Sequence, residues 1–522
     1  MASNTNRPTA AASGRIFYAG VLLALLPILL LRDFTPDNEL RYLSIIDEAL
    51  RNHDFFAFHN HGIPYADKPP LYFWLLMACR LVAGQHCMWL YALASLLPAF
   101  GVIAVINRWC RHLIPTANRM AGRMMLMTSG YFLGAAIILR MDMLMCLFIV
   151  SALFVFWKIY EGDTRARYKW LFPLFLFLAL FTKGPLGILI PLVSTAVFLA
   201  SKRQLRLFGR FWGWRTWGVL LGLCALWFFG VYADGGKEYL DNLLFHQTID
   251  RAVDSFHHKR PFHYYLVAVW YIIAPWSLYV VGSMVADLRH PSRLPALQQF
   301  FLAIAVSTLV LLSCISSKLQ IYLLPAVPFM VYSAIISLPK YDTSRLTKIA
   351  VGFPYAVFAL ALPTLMTACL FISEIDFSAY GPCYLAAALL SAGGIWGFVT
   401  LMRSGLKKTI VPVGISLLVA TFAGSPALLQ SRDFSFGYGR LCSEAKQITD
   451  RNHTADIYVW KIKRPENMDV YLGRNVIIIS GDSVPDQSLL QNAILMLPEK
   501  EADRFPQAAR TQVGSYVILS NE

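Results

Sequence analysis

The class of fold is decided by the stretch CMWLYALASLLPAFGVIAVIN, residues 87–107. It contains no charged residue, and it ends at a basic segment that carries Arg108, Arg111, Arg119 and Arg123. A helix needs about 20 apolar residues to cross the hydrocarbon core of a bilayer, and Lys and Arg stay on the cytoplasmic side. The stretch is therefore predicted to span a membrane with its C-terminal end in the cytoplasm.

The orientation of this span determines how the two preceding apolar runs are interpreted. Residues 69–84 form a shorter run that Arg80 interrupts, and a second crossing there would place the basic segment outside the cell. This run is predicted to lie along the outer interface as an amphipathic segment. Residues 16–31 end at Arg32 without a cleavage site of small residues. They are predicted to be a retained first span with the N-terminus in the cytoplasm.

The composition agrees with a membrane protein. The chain has 522 residues, of which 57% are hydrophobic and 15% charged, and its mean hydropathy is +0.51. Soluble domains average about 45–50% apolar and about 25% charged residues. These values exclude a disordered chain and argue against a soluble enzyme. The net charge of +15 fits basic cytoplasmic loops, and no nucleic-acid partner is predicted because the chain carries no nucleic-acid-binding motif.

The remaining apolar runs predict a polytopic α-helical membrane protein of about 13 transmembrane helices in residues 1–429. The further spans are expected near 121–138, 143–160, 170–182, 185–201, 216–233, 262–286, 297–315, 320–337, 349–373, 381–402 and 409–429. The first outer loop, residues 32–86, is long and polar, and the polar tail, residues 430–522, is predicted to be a small C-terminal periplasmic α/β domain. Strands are expected there at Asp456–Trp460, Asn475–Ile479, Ala493–Leu497 and Ser515–Leu519.

Charged residues concentrate at the predicted outer boundary of the membrane. Residues 38–50 have helical spacing and place Glu39 near a helix start, where the helix dipole favours an acidic group. Arg140 and Asp142 flank the short turn between two spans, a costly position unless the groups are paired or functional. The other polar and basic candidates on this side are Asp37, Arg41, Tyr42, Asp67, Lys68, Lys183, Arg251, Lys318 and Tyr322. Together these residues predict a mainly cationic mouth with a few carboxylates.

This arrangement indicates group transfer from a lipid phosphate. Phosphate needs fixed positive charge and hydrogen-bond donors, and positive charge also stabilises a phosphate that leaves as a glycosidic bond breaks. A nearby carboxylate can accept a proton from an acceptor hydroxyl or help to hold a divalent metal, and the sequence leaves both roles open. The chain has no nucleotide-binding glycine motif, and its nine cysteines form no CxxC pair. Neither a nucleotide donor nor a zinc site is therefore predicted.

Several motifs resemble those of bacterial lipid-carrier-dependent glycosyltransferases, which include the aminoarabinose transferase of lipid A and are related to protein O-mannosyltransferases. The motifs are TPDNELRY (35–42), YADKPPLYFW (65–74), RMDM (140–143), TKGP (182–185), PFHYY (261–265) and SK followed by YLLP (317–318 and 322–325). They follow the family's order over roughly residues 30 to 340. The resemblance implies a GT-C fold in the bacterial inner membrane, a periplasmic active site and a polyprenyl-phosphate-linked sugar donor.

The resemblance also implies which carboxylates act. The family's critical aspartate stands in an Asp-Glu pair. When the chain is aligned on Glu39, that position holds Asn38, whereas alignment on the preceding Thr-Pro lets Asp37 fill it after a one-residue insertion. Asp37 and Glu39 therefore both remain candidates for activating the acceptor, and Asp142 carries over as the second carboxylate.

The basic residues carry over to the donor phosphate. Lys68, next to Asp67, is expected close to that phosphate. Arg140, Lys183 and Lys318 are expected to help neutralise it. Arg41, Tyr42, Arg251 and Tyr322 complete the predicted substrate-binding set.

The sequence thus predicts a membrane glycosyltransferase that moves a sugar from a polyprenyl-phosphate donor to a periplasmic acceptor, lipid A or another envelope glycan. The first alternative is a protein O-glycosyltransferase. The second is a transporter of lipid-linked sugars, which would place charges near the bilayer midplane and repeat its architecture in two halves. Here the unusual charges lie at one face, and no repeat of that kind is evident.

Overall fold

The structure is a computed structural model that describes residues 10–244, 260–371, 381–427, 437–452 and 456–521. The described residues up to 427 form a helical body, and the described residues from 437 onward form a smaller unit that contains a β-sheet. The two parts meet through an apolar cluster to which both contribute side chains. The predicted substrate-binding residue Arg251 lies outside the described residues.

The first part of the helical body runs from the N-terminus through the candidate site. Its helices are α1 (Ala10–Leu31), α2 (Arg41–Asn52), α3 (Leu71–Ala83), α4 (Met88–Trp109), α5 (Thr116–Met127), α6 (Gly130–Ile137), α7 (Asp142–Tyr160), α8 (Ala166–Lys183), α9 (Leu186–Ser201), α10 (Phe208–Phe211) and α11 (Trp214–Asp241). A short hairpin joins α2 to α3 and pairs β1 (His59–Asn60) with β2 (Ile63–Pro64) in antiparallel register.

The second part of the body continues after residue 259. Its helices are α12 (Tyr264–Ile272), α13 (Ser277–Leu288), α14 (Ala296–Cys314), α15 (Val327–Ile336), α16 (Leu338–Tyr341), α17 (Arg345–Ala359), α18 (Ala361–Phe371), α19 (Gly381–Ser404) and α20 (Ile410–Gly424). A 3₁₀ segment, Gln320–Ala326, leads directly into α15.

Within the described residues, seven helices are long and apolar enough to cross a membrane, or eight if α17 and α18, bent by 44°, form one span. Several other predicted spans are interrupted. The run 121–138 divides between α5 and α6, where the hydroxyls of Thr128 and Ser129 bond to carbonyls one turn earlier. Such back-bonding competes with the helix's own hydrogen bonds and often bends it. The count of about 13 spans stays a prediction.

Helix α7 lies at the centre of the body. It packs against α4, α8 and α9, and 72% of its apolar window is buried inside the protein. Its sequence is apolar on every side, as is typical of a helix surrounded by others. This central position matters because α7 begins at Asp142.

The C-terminal unit contains a five-stranded mixed sheet in the order β4–β3–β5–β7–β6. Its strands are β3 (Asp456–Trp460), β4 (Ile477–Ile479), β5 (Ala493–Pro498), β6 (Ala509–Val513) and β7 (Tyr516–Ser520). Helices α21 (Gly439–Asn452) and α22 (Asp469–Leu472) accompany the sheet. The four predicted strands are confirmed to within two residues at each end. Strand β6 was not predicted, because its sequence ARTQV belongs to an edge strand with mostly polar side chains.

Candidate active site

The centre of the candidate site is the carboxylate of Asp142, whose side chain is 1% exposed. Its Oδ2 accepts a hydrogen bond of 3.1 Å from Nε of Arg140, two residues earlier. Its Oδ1 forms an ion pair with the ammonium of Lys183 at the end of α8. The Lys183 ammonium also lies 4.6 Å from the ring centre of Tyr322. Two cations therefore share one carboxylate, which leaves this cluster with a surplus of one positive charge.

Local sequence explains how these groups meet. Asp142 is in the first turn of α7 and Lys183 in the last turn of α8, where the helix dipoles favour an acidic and a basic residue respectively. Gly184 follows with a φ of +101°, a conformation that L side chains rarely adopt, and lets the chain reverse into α9. The pairing of α7 with α8 then brings the two charged ends together.

A cavity of about 370 Å³ lies beside Arg140. Its lining consists of Gly130, Tyr131, Gly134, Ala135, Ile138, Arg140, Leu319, Gln320 and Ile321. The small residues on α6 leave room for an apolar chain, and the guanidinium supplies the charge. Lys318, next to this lining, is buried, and its ammonium donates hydrogen bonds to the carbonyls of Arg260 (3.1 Å) and Ile315 (2.5 Å).

Glu39 is completely buried and joins the first outer loop to the turn that carries Arg140. Its two oxygens accept hydrogen bonds from both terminal nitrogens of Arg32, at 2.6 and 2.8 Å. They also accept the backbone N–H groups of Thr35 and Leu139, each at 2.7 Å. Four donors leave this carboxylate little capacity for a further partner. The bond to Leu139 fixes the backbone immediately before Arg140.

Asp37 faces the C-terminal unit. Its side chain is 48% exposed, and its Oδ2 lies 2.7 Å from Nζ of Lys463. Residues 36–40 form one π-helical turn, in which the N–H of Leu40 donates to the carbonyl of Thr35 at 3.1 Å. A π turn holds one residue more than an α turn, and such turns are frequent at functional sites. The helix predicted from residue 38 accordingly begins in α-helical form only at Arg41.

This turn bears on the two sequence alignments. An extra residue between Asp37 and Glu39 needs a local expansion of the helix, and the π turn supplies one. Asn38 instead accepts a hydrogen bond of 3.1 Å from Arg41. The turn can therefore accommodate the inserted residue, and the choice between Asp37 and Glu39 stays a prediction.

Tyr42 is buried on the first turn of α2 and lies within electrostatic reach of Arg140, Asp142, Arg41 and Asp67. Burial raises the pKa of its phenol to about 12, and the two arginines oppose that rise while the carboxylates add to it. The phenol therefore stays protonated at neutral pH and can donate a hydrogen bond to an anion. Its ring packs edge to face against rings of α3, including one whose centre is 5.5 Å away.

The other described binding candidates, Arg41, Asp67 and Lys68, belong to the first outer loop, residues 32–86. Asp67 and Lys68 are half-buried in the loop between β2 and α3. The guanidinium carbon of Arg41 lies 5.8 Å from the ring centre of Tyr65, and its buried Nε has no hydrogen-bond partner among the described residues. In the part of the chain that the structure describes, no group of three or more His, Cys, Asp or Glu side chains is placed to hold a metal ion.

Sequence reasoning missed the partners that hold the outer loop. Arg32 was interpreted only as the end of the first span, and Lys463 was not considered at all. In a sequence, a glutamate seven residues after an arginine is only a weak indication that the two side chains form an ion pair. The contact of Lys463 with Asp37 spans 426 residues and leaves no signal in a single sequence.

Comparison with known proteins gives consistent sequence relatives, although no protein-family model matches the chain. It is 26% identical over 318 residues to the undecaprenyl phosphate-alpha-4-amino-4-deoxy-L-arabinose arabinosyl transferase of Shewanella sediminis, covering 58% of this chain and 56% of that enzyme. The enzyme of the same name from Pectobacterium atrosepticum is 30% identical over 58% of this chain and 55% of its own length. The chain thus matches little more than half the length of these relatives. Transferase 1 of Pseudomonas fluorescens is 23% identical over 86% of this chain and 81% of that enzyme.

Solved structures show the fold. ArnT from Cupriavidus metallidurans, in a crystal structure with undecaprenyl phosphate, superimposes with a TM-score of 0.75 at 17% identity and covers 98% of both chains. The apo form of the same protein superimposes with a TM-score of 0.74 at 18% identity. The predicted fold class is confirmed at this level, while the number of spans and the side of the membrane stay predictions. In sequence the chain is similar to enzymes named undecaprenyl phosphate-alpha-4-amino-4-deoxy-L-arabinose arabinosyl transferase, and it has the fold of ArnT.

Proposed function

We propose that this protein transfers a sugar from an undecaprenyl-phosphate-linked donor to lipid A or another envelope glycan. The observation that carries the proposal is the cluster of Arg140, Asp142 and Lys183, with its surplus of positive charge, at the edge of a largely apolar cavity. A lipid phosphate combines the same two properties, a negative headgroup and an apolar chain. The sequence relatives are named for a donor of this class.

The cluster would bind the donor phosphate and stabilise it as it leaves. Arg140 and Lys183 are held in place by Asp142, so little reorganisation is needed when negative charge develops on the phosphate. Tyr42 adds a neutral donor nearby. Lys318, buried next to the cavity lining, would contribute further positive charge, and Lys68 keeps its predicted role near the phosphate. The cavity beside Arg140 would hold the first part of the isoprenoid chain.

Asp37 is assigned as the group that activates the acceptor, because it is the most accessible of the three candidate carboxylates. It is half-exposed, whereas Asp142 and Glu39 are buried and occupied by cations and backbone donors. In the transfer step an acceptor oxygen attacks the anomeric carbon and its proton passes to Asp37. The bond between the anomeric carbon and the phosphate oxygen breaks, and its electron pair stays on undecaprenyl phosphate. Glu39 fixes the turn before Arg140 and acts as a positioning residue.

The site would face the periplasm. The ends of α7 and α8 that carry Asp142 and Lys183 lie together with the outer loop and the C-terminal unit. The basic segment after α4 follows the other end of a candidate span. Because Lys and Arg favour the cytoplasmic side, this orientation puts the candidate site and residues 437–521 outside.

The experiment is mass spectrometry of lipid extracts and lipopolysaccharide from cells with and without the gene, complemented by the wild type or by Asp142→Asn. The deletion is expected to accumulate an undecaprenyl-phosphate sugar and to lose the same sugar from an envelope glycan. Only the wild type should restore it. Unchanged lipid and glycan pools under conditions where the gene is expressed would contradict the proposal, and loss of the sugar from protein alone would transfer the acceptor role to protein.

A further inference from the structure

The C-terminal unit contacts the candidate catalytic loop at several points. Lys463 pairs with Asp37 at 2.7 Å, and Nδ2 of Asn467 donates to the carbonyl of Pro36 at 3.1 Å. Asp33 accepts the backbone N–H of Gly439 at 2.9 Å and the hydroxyl of Tyr471. All these contacts fall within residues 33–37, immediately before Glu39.

The segment 32–39 is thus held from two sides. On the membrane side, Glu39 is fixed by Arg32 and by the N–H of Leu139. On the other side, Asp33, Pro36 and Asp37 are held by contacts with the C-terminal unit. The π turn makes no side-chain capping bond of its own at Thr35. Its geometry therefore depends on the contacts that flank it.

The part of the C-terminal unit that makes these contacts is itself well fixed. The hydroxyl of Tyr438 donates to the carbonyl of Lys463, and Asn467 is completely buried. Lys461 and Arg464 have φ values of +57° and +52°, a left-handed conformation that non-glycine residues keep only where the surroundings impose it. The backbone of this loop therefore presents the Lys463 ammonium from a defined position, although its side chain is 74% exposed.

Docking of the C-terminal unit does not depend on Lys463. A shared apolar cluster joins the two parts, with Leu43 and Ile46 on one side and Leu441 and Met468 on the other. The hydroxyl of Ser44 also donates to Oδ2 of Asp469 at 2.8 Å. Loss of one exposed ammonium should leave this interface in place, so a role in the site can be separated from a role in attachment.

We infer that the C-terminal unit completes the active site and that Lys463 is a positioning residue that orients the Asp37 carboxylate. This inference rests on the proposed function, in which Asp37 activates the acceptor. The ammonium engages Oδ2, and in this inference Oδ1 accepts the proton of the acceptor hydroxyl. The unit is then a functional part of the transferase.

The test uses the full-length protein in lipid nanodiscs, with an undecaprenyl-phosphate aminosugar as donor and lipid A as acceptor. Lys463→Met is expected to lower kcat by about 10- to 100-fold, because a misplaced reacting group costs rate. The KM for the donor should stay within about threefold, since the phosphate site is untouched. Lys463→Arg should recover most of the lost rate. Lys500→Met, at an exposed lysine of the same unit, is the matched control and should behave as wild type.

The outcomes separate the two proposals. A wild type that transfers no sugar to lipid A, a glycan or protein would overturn the proposed function and this inference with it. The inference alone would be overturned if the wild type is active, Asp37→Asn is inactive and Lys463→Met is as active as the wild type. Loss of activity in Lys463→Met with a lower Tm and no recovery by Lys463→Arg would show a structural role and would also overturn it.

Discussion

Two carboxylates in the helical body, Asp142 and Asp287, are each 1% exposed but have different surroundings. Asp142 holds two basic side chains beside a cavity. Asp287 joins the ends of several helices and accepts mainly neutral donors. Its partners are Nε2 of Gln298 at 2.9 Å, the hydroxyl of Tyr341 at 2.9 Å, the hydroxyl of Ser337 and Nζ of Lys340 at 3.3 Å.

The difference lies in the charge that remains. At Asp287 one lysine balances one carboxylate, and that lysine is 61% exposed to solvent. At Asp142 two basic groups leave a positive surplus. A buried carboxylate is therefore not by itself a sign of a catalytic site. The surplus charge and the adjoining cavity distinguish Asp142, which the proposed function assigns to an anionic ligand, from Asp287, which holds helices together.

The largest effect is expected for Asp142→Asn. The neutral amide cannot hold Arg140 and Lys183 in their present positions, and preorganised groups of this kind contribute about 100- to 1000-fold to rate. Sugar transfer by purified protein should fall by that order. The matched variant Asp287→Asn, compared per folded molecule, should stay within about threefold of wild type. Equal losses in the two variants would remove the distinction drawn between them.

Lys183→Met should have the next largest effect. It removes one cation from the cluster but leaves Arg140 on Asp142, so part of the phosphate site survives. The rate is expected to fall by about 100-fold, and Lys183→Arg should retain more activity because it keeps the charge. Transfer rates measured at saturating donor check this. An unchanged rate would show that the ion pair with Asp142 is only structural.

Glu39→Gln is expected to act through position. The amide can keep some hydrogen bonds, but it loses the ion pair with Arg32 and leaves a buried guanidinium without its carboxylate. The transfer rate should fall by about tenfold, with a lower Tm and an unchanged donor KM. A complete loss of transfer in a variant that keeps the wild-type Tm would instead make Glu39 the group that activates the acceptor.

Asp287→Ala should mainly change stability. Removing this carboxylate leaves Gln298, Ser337 and Tyr341 without their shared acceptor, and a buried polar group left unsatisfied costs about 1–3 kcal/mol. Thermal unfolding in detergent should show a lower Tm, while the activity of the protein that stays folded is retained. A normal Tm with lost transfer would reverse the roles assigned to the two carboxylates.

The smallest effect concerns the contact between the two parts of the molecule. Burial raises the pKa of Asp469, against the opposing hydrogen bond from Ser44 and the proximity of His61, while Asp47 adds to the rise. An acid whose folded pKa is raised binds more protons when folded, so its contribution to stability falls as the pH rises above the ordinary value of about 3.9. As the pH rises above about 3.9, the Tm of Asp469→Asn should therefore decrease less than the Tm of the wild type. An identical Tm profile in both proteins would contradict this.

Features marked by the local pattern of apolar and charged residues could be predicted from the sequence, whereas features that depend on particular side-chain bonds could not. The turn at Arg140 and Asp142 and the charge at Lys183 were predictable because they interrupt or end apolar runs. The four strands were predictable because their residues are apolar and flanked by turns. The division of α5 from α6 was not, because it rests on the side-chain bonds of Thr128 and Ser129.

Contacts between distant segments were beyond prediction for a physical reason. The pair of Lys463 and Asp37 and the bond from Leu139 to Glu39 join residues that only the folded backbone brings together. Local patterns specify which residues are charged and on which side of a helix they lie. They do not specify which carboxylate oxygen accepts a hydrogen bond from which donor. Those contacts distinguish Glu39, whose oxygens are occupied by donors, from Asp37, whose side chain is half-exposed.

The central claim is that the Asp142 cluster binds the donor phosphate, and a binding titration tests it most directly. Undecaprenyl phosphate is titrated into wild-type protein, Lys183→Met and Lys340→Met in the same nanodiscs. Lys183→Met is expected to raise Kd by about tenfold or more, while Lys340→Met, at the lysine beside Asp287, should leave it unchanged. The same Kd in wild type and Lys183→Met, or an equal rise in both variants, would contradict the claim.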